Sequence, residues 1–187
     1  MDVTEDRLVI QTVKLDQNAT GEIKPGWNTL IFDIDEQFMK ETSFERRYAL
    51  FISFIGTKEG QRVPLKDSFH LDGAYLLMPP KQIKSEYLWR MESSDEIAKY
   101  SNDNTGAQFE LSTDYTIEGE HSCKIIPSGN AVETKIALDL NSPRVNQWNG
   151  HQELIINFYV PEDCELTDFF LGMGDSNDGW SWVDGIA

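Results

Sequence analysis

From Ala107 onward the sequence is a series of short strand-like segments cut by turns, and this punctuation constrains the fold more than anything else in the chain. It reads AQFELST, a turn DYTIEGEH, then SCKIIPSG, VETKIALDL, a long loop, QELIINFYVP, LTDFFLGMG and WSWVDGIA. These are six strand candidates about 10–16 residues apart. No amphipathic helix of about 10–15 residues separates them, so an alternating βαβ architecture is excluded and an antiparallel all-β one is expected. The last segment is apolar and has no polar tail. An open apolar sheet edge is a hazard that proteins cover. The expectation is an unfinished sandwich, continued by further chain or completed by a partner.

The first part of the chain is also mostly β. RLVIQTVKL and NTLIFDID alternate apolar and polar residues, and EQFMKETSFERR suits a short helix or helical loop. YALFISFIG is a continuous apolar run of strand length, which suits a central strand. GTKEGQRVPL reads as a hairpin return, and SFHLDGAYLLM as a further strand or strand pair. Met78-Pro79-Pro80 stops pairing, because proline has no ladder donor. KQIKSEYLWRMESSDEIAKY then suits a short helix or a strand, and SNDNTG is a polar turn cluster. The expected organisation is all-β with minor helix, in two β domains. A small β domain spans 1–85, a linker spans 86–106, and a β-sandwich or jelly roll that stops short spans 107–187.

Charge sharpens the division. The net charge is -16, with -2 over residues 1–90 and -14 over residues 91–187. An acidic surface of that strength repels phosphate backbones and excludes nucleic-acid binding through the C-terminal half. It is compatible with plain solubility, with divalent cations, or with a neutral polar ligand such as a sugar. No run approaches the ~18 apolar residues that span a bilayer, so no membrane insertion is expected. MDVTEDRLVIQT has no basic region followed by an apolar stretch and is not a secretory signal. Cys123 and Cys164 are too few for a disulfide scaffold, and two buried free thiols are expected. Asn18-Ala19-Thr20 fits a glycosylation acceptor and is read as a turn.

The C-terminal half resembles the jelly-roll carbohydrate-binding modules attached to polysaccharide-degrading enzymes and to viral fibres. The residues that carry the likeness are STDYTIEGEHSCKIIPSG, ELIINFYVPED and DFFLGMGDSNDGWSW. It covers roughly residues 90–187. It implies a glycan ligand, held by aromatic faces and short hydrogen-bonding side chains. Trp148 lies in a polar loop with Asn146, Gln147, Asn149 and His151, and it reads either as a ligand contact or as a lid on the core. Trp180 and Trp182 share one face of a strand, either the core or a concave binding face. Tyr115 and Tyr159 complete the aromatic candidates.

Asp175, Asn177 and Asp178 in GMGDSNDGW offer hard oxygen ligands at the short spacing that suits Ca²⁺, or form an ordinary Asp/Asn/Gly turn. Beyond that possible Ca²⁺, no cofactor is expected. The chain has no G-x-S-x-G, H-E-x-x-H or C-x-x-C motif and no glycine-rich phosphate loop. His70, His121 and His151 have no metal-ligand spacing. No catalysis is expected. A glycan binder without an export signal suggests a virion protein, which leaves the cell by lysis. The leading expectation is a phage tail or head fibre. Its N-terminal domain would dock to other virion proteins or to copies of itself, and its acidic half would attach to host glycans. The alternative is an extracellular glycan-binding module, freestanding or attached to an enzyme.

Overall fold

The computed structural model of the chain describes residues 8–14, 23–33, 48–78, 83–97, 100–101, 105–139 and 153–175. They form twelve strands and one short helix. The strands are β1 (Leu8–Lys14), β2 (Gly26–Asp33), β3 (Tyr48–Lys58), β4 (Gln61–Val63), β5 (Phe69–Met78), β6 (Ile83–Trp89), β7 (Tyr100–Ser101), β8 (Gln108–Ser112), β9 (Ser122–Ile126), β10 (Thr134–Asp139), β11 (Glu153–Val160) and β12 (Leu166–Asp175). The helix α1 (Ser94–Ile97) lies between β6 and β7. Among the described residues no helix is long and apolar enough to cross a membrane.

The strands build two sheets. The first runs β1-β2-β11-β5-β9-β8, with β6 also on β5; the second runs β12-β3-β10-β7, with β4 on β3. Every described pairing is antiparallel except that of β1 with β2. The all-β expectation therefore holds. The YALFISFIG run is central, as its continuous apolarity requires: β3 lies between β12 and β10, with Ile52, Ser53, Phe54 and Ile55 all buried. β3 and β4 close as a two-residue hairpin over Glu59-Gly60, both at positive φ (52° and 75°), the geometry that matches strand twist.

The expected division at 1–85, 86–106 and 107–187 does not correspond to separate units. β2 and β5 pair with β11, and β3 pairs with β10 and β12, so both halves of the chain contribute to both sheets. The expected linker supplies core residues instead: Leu88, Trp89, Met91 and Ile97 are buried. The reason is the common core. Phe54 of the second sheet packs on Phe69 and Phe158 of the first, with ring centroids 4.6 and 5.9 Å apart. Leu30, Leu71, Ile125, Ile136, Leu154 and Phe169 join the same cluster. Each such side chain contributes about 1.5–3 kcal/mol on burial, and neither half encloses these residues alone.

Alternation along β11 sets the site. Leu154, Ile156, Phe158 and Val160 enter the core, so Ile155, Asn157 and Tyr159 face the other side of the first sheet. That outer face carries three successive rows across β2, β11 and β5: Ile31, Ile155 and Tyr75; Thr29, Asn157 and Asp72; Trp27, Tyr159 and His70. The first row is an apolar layer, with Leu77 and Tyr87 packed into it.

Candidate functional site

The polar row is made by an irregularity. Ile156 pairs with Ala74 and Phe158 with Leu71, so Asp72 and Gly73 together face the single residue Asn157. Gly73 forms this bulge at φ +79°, a conformation that side chains disfavour. The consequence is a pair of buried polar side chains at the centre of the sheet. Asp72 and Asn157 are each only 2% exposed. The Thr29 hydroxyl donates to Asn157 Oδ1 at 2.9 Å. That bond fixes the amide and leaves its two N–H donors as its remaining polar group. Asp72 Oδ2 accepts the backbone N–H of Ile117 and, at 3.1 Å, that of Glu118.

Above this pair opens a small cavity of about 80 Å³, partly open to solvent. Asp72, Gly73 and Asn157 line it from the sheet, Tyr75 and Tyr87 from the aromatic side, and Arg90, Glu92, Glu118 and Gly119 from two loops.

The first loop follows β6. Met91 takes a left-handed φ of +61° and is fully buried. This turns the chain so that its neighbours Arg90 and Glu92 reach the cavity while Met91 enters the core. Helix α1 holds the turn. Ser93 Oγ accepts the Glu96 N–H, and the Glu96 carboxylate reaches back to the N–H groups of Arg90 (2.6 Å) and Glu92 (3.3 Å), a variation on the capping box. Arg90 lies over the Tyr87 ring, 4.4 Å from its centroid.

The second loop, residues 113–121, connects β8 and β9. The Ser122 hydroxyl donates to the Asp114 carbonyl at 2.8 Å, and Asp72 takes two N–H groups further along. Glu92 Oε2 accepts the N–H of Glu120 at 3.2 Å and lies 3.4 Å from His121 Nδ1. The Tyr87 hydroxyl donates to Glu118 Oε1 at 2.6 Å. Gly119 (φ +80°) sits so close to Glu92 that a Cβ there would lie 1.8 Å from Oε1.

Two pKa shifts follow from this geometry. Burial pushes the Asp72 carboxyl up to about 6; the two N–H bonds oppose the shift, and the charges of Glu92 and Glu118 add to it. Burial and the bond to Glu118 raise the Tyr87 phenol, so it stays a donor at neutral pH.

The third row adjoins the cavity. Tyr115 stacks on Tyr159 with centroids 3.8 Å apart and an interplanar angle of 12°. Trp27 meets Tyr159 edge-on at 5.4 Å, and His70 meets Tyr115 at 5.0 Å. Tyr115 is 45% exposed and held at φ +53°. One ring face rests on Tyr159, and the side chain stands in solvent. His70 is buried, with its Nδ1 3.3 Å from the Ser122 hydroxyl, and burial lowers its pKa.

Of the residues expected to bind sugar, Tyr159 stands in this aromatic row, as does Tyr115. Trp148, Asn146, Gln147, Asn149, Trp180 and Trp182 lie outside the described residues. So do Asn177 and Asp178 of the expected Ca²⁺ loop. Asp175 is the last residue of β12, where its backbone pairs with Tyr48. Among the described residues no cluster of three or more His, Cys, Asp or Glu could hold a metal ion. Both cysteines are free; Cys123 is buried, as expected, whereas Cys164 is half-buried. Asp72, Asn157, Tyr87, Glu92 and Glu118 were not anticipated. A signal for two of them exists, since Asp72 and Asn157 interrupt strongly apolar strands, and charged or amide side chains are seldom buried without a task.

Compared with protein-family models, curated proteins and solved structures, the chain matches none. Function is therefore to be read from the chemistry of the site.

Proposed function

We propose that this chain is a non-enzymatic carbohydrate-binding protein and that the outer face of its first sheet holds the sugar. One observation carries the reading: a buried donor and a buried acceptor, the Asn157 amide and the Asp72 carboxyl, lie side by side at the floor of an aromatic-walled cavity. A sugar hydroxyl both donates and accepts, so adjacent hydroxyls satisfy this pair. The apolar C–H faces of a sugar ring suit Tyr87 and the exposed Tyr115. A purely apolar ligand would strand the polar floor, at a cost of about 1–3 kcal/mol per unmet group.

Such a face would serve a virion fibre that attaches to a glycan-bearing host, or a module that holds an enzyme on its polysaccharide. The described sheets are shared by both halves of the chain, so binding, rather than anchoring by a separate N-terminal domain, is the task proposed.

The test is a glycan array followed by titration calorimetry on the full chain, with Asn157→Ala and Tyr115→Ala. Loss of the floor donor is expected to weaken binding about tenfold or more. Tyr115→Ala should weaken binding and, through loss of the stack on Tyr159, lower the melting temperature only slightly. Failure of any glycan to bind, or unchanged binding by both variants, would end the proposal.

A further inference from the structure

The charge inside the cavity selects among sugars, and this rests on the saccharide reading above. Asp72, Glu92 and Glu118 line the cavity against one guanidinium, Arg90. The carboxyl groups are held by backbone N–H groups, the Tyr87 phenol and the His121 imidazole. These bonds fix their positions and bring no second guanidinium or ammonium group. Arg90 lies against the Tyr87 ring. Three acidic side chains against one basic one give the lining a formal charge of -2. The repulsion is visible within the site, because Glu92 and Glu118 both raise the pKa of Asp72.

A bound cation would relieve that repulsion. The Asn157 amide meanwhile needs an acceptor, which an ammonium group cannot be. The occupant must therefore bring a hydroxyl oxygen and a positive charge on the same small ring. We infer that the cavity prefers a sugar unit carrying a protonated amine, an amino sugar, over the same unit carrying a hydroxyl or acetamido group, and that it rejects uronic acids.

The test uses the full chain and four tetrasaccharide probes. Three are β-1,4-linked and differ only at C2, which carries ammonium (glucosamine), acetamido (N-acetylglucosamine) or hydroxyl (glucose). The fourth is a uronic acid tetramer. Calorimetry at neutral pH and low salt is expected to show the glucosamine tetramer binding on the order of tenfold tighter than the glucose tetramer. Added salt should shrink that advantage. Glu118→Gln, which keeps an acceptor for Tyr87, should remove most of it. Glu92→Gln repeats the test should the first variant fold poorly. Glu59→Gln, an exposed acid on the β3–β4 turn, should leave it intact.

Equal affinity for the glucosamine and glucose tetramers would overturn the inference and leave the saccharide reading standing. An equal loss in Glu59→Gln and Glu118→Gln would overturn it too, as diffuse attraction to an acidic surface. So would binding of the uronate on a par with the amine. Absence of binding by all four probes would remove both the inference and the reading beneath it.

Discussion

Asp72→Asn should stabilise the protein, and only above a definite pH. The native carboxyl is pushed from its ordinary 3.8 to about 6, chiefly by burial. The folded protein therefore binds the Asp72 proton more tightly than the unfolded chain does. The stability linked to this group is fully present below about pH 3.8 and is lost as pH rises through 6. At about 1.4 kcal/mol per pH unit the difference amounts to ~3 kcal/mol. Allowing for water at the open cavity reduces it to ~2 kcal/mol. Asparagine is close to isosteric, has no charge to desolvate, and its Oδ1 still accepts the N–H groups of Ile117 and Glu118. Urea unfolding of both proteins from pH 4 to pH 8 measures the effect, and subtracting the two curves cancels the many other carboxyl groups. The two should be about equally stable at pH 4, with Asp72→Asn ahead by about 2 kcal/mol at pH 7. A difference that does not change with pH would refute the reasoning. So would a variant less stable at pH 7, because the two N–H bonds would then outweigh the cost of burial.

Phe54→Ala should cost about 3–5 kcal/mol in the same assay, because Phe54 is fully buried and links the sheets through Phe69 and Phe158; a cost below 1 kcal/mol would mean that the sheets do not share a core. Gly119→Ala places a Cβ against Glu92 at a positive φ. It should destabilise by roughly 1–2 kcal/mol and weaken sugar binding along with it, and a variant that keeps full affinity would show that the Glu92–Gly119 contact does not shape the site. Burial pushes the Cys123 thiol up to about 12 and also raises that of Cys164, which is half-buried. Mass spectrometry after alkylation of the native protein should show slow labelling at Cys164 and none at Cys123 until urea is added, and labelling of both at equal rates would contradict the packing.

The strand positions were legible because strands are written in local pattern. YALFISFIG announced a central strand by having no polar face, and the segments from AQFELST to LTDFFLGMG each became a strand where turns bound them. The charge step near residue 90 was real as composition, yet it marked no structural boundary. Charge sits on surfaces, whereas domains are separated by their cores, and Leu88, Trp89, Met91 and Ile97 of the expected linker lie in the core. Tyr159 stood among the sugar-binding candidates only as an aromatic side chain. Its neighbours across the sheet could not be recognised, since cross-strand partners are set by register and not by proximity in sequence.

What the sequence determined by itself is the all-β class, the approximate strands and the acidic surface, because each depends on the spacing and kind of neighbouring residues. Only the tertiary structure decided that β11 lies between β2 and β5, and that a bulge there sets Asp72 against Asn157. Only it brought Arg90, Glu92 and Glu118 over that pair. Those contacts span up to 134 positions of chain. They form because one buried core, shared by two sheets, offsets the entropy of closing such loops, and no local segment carries that term.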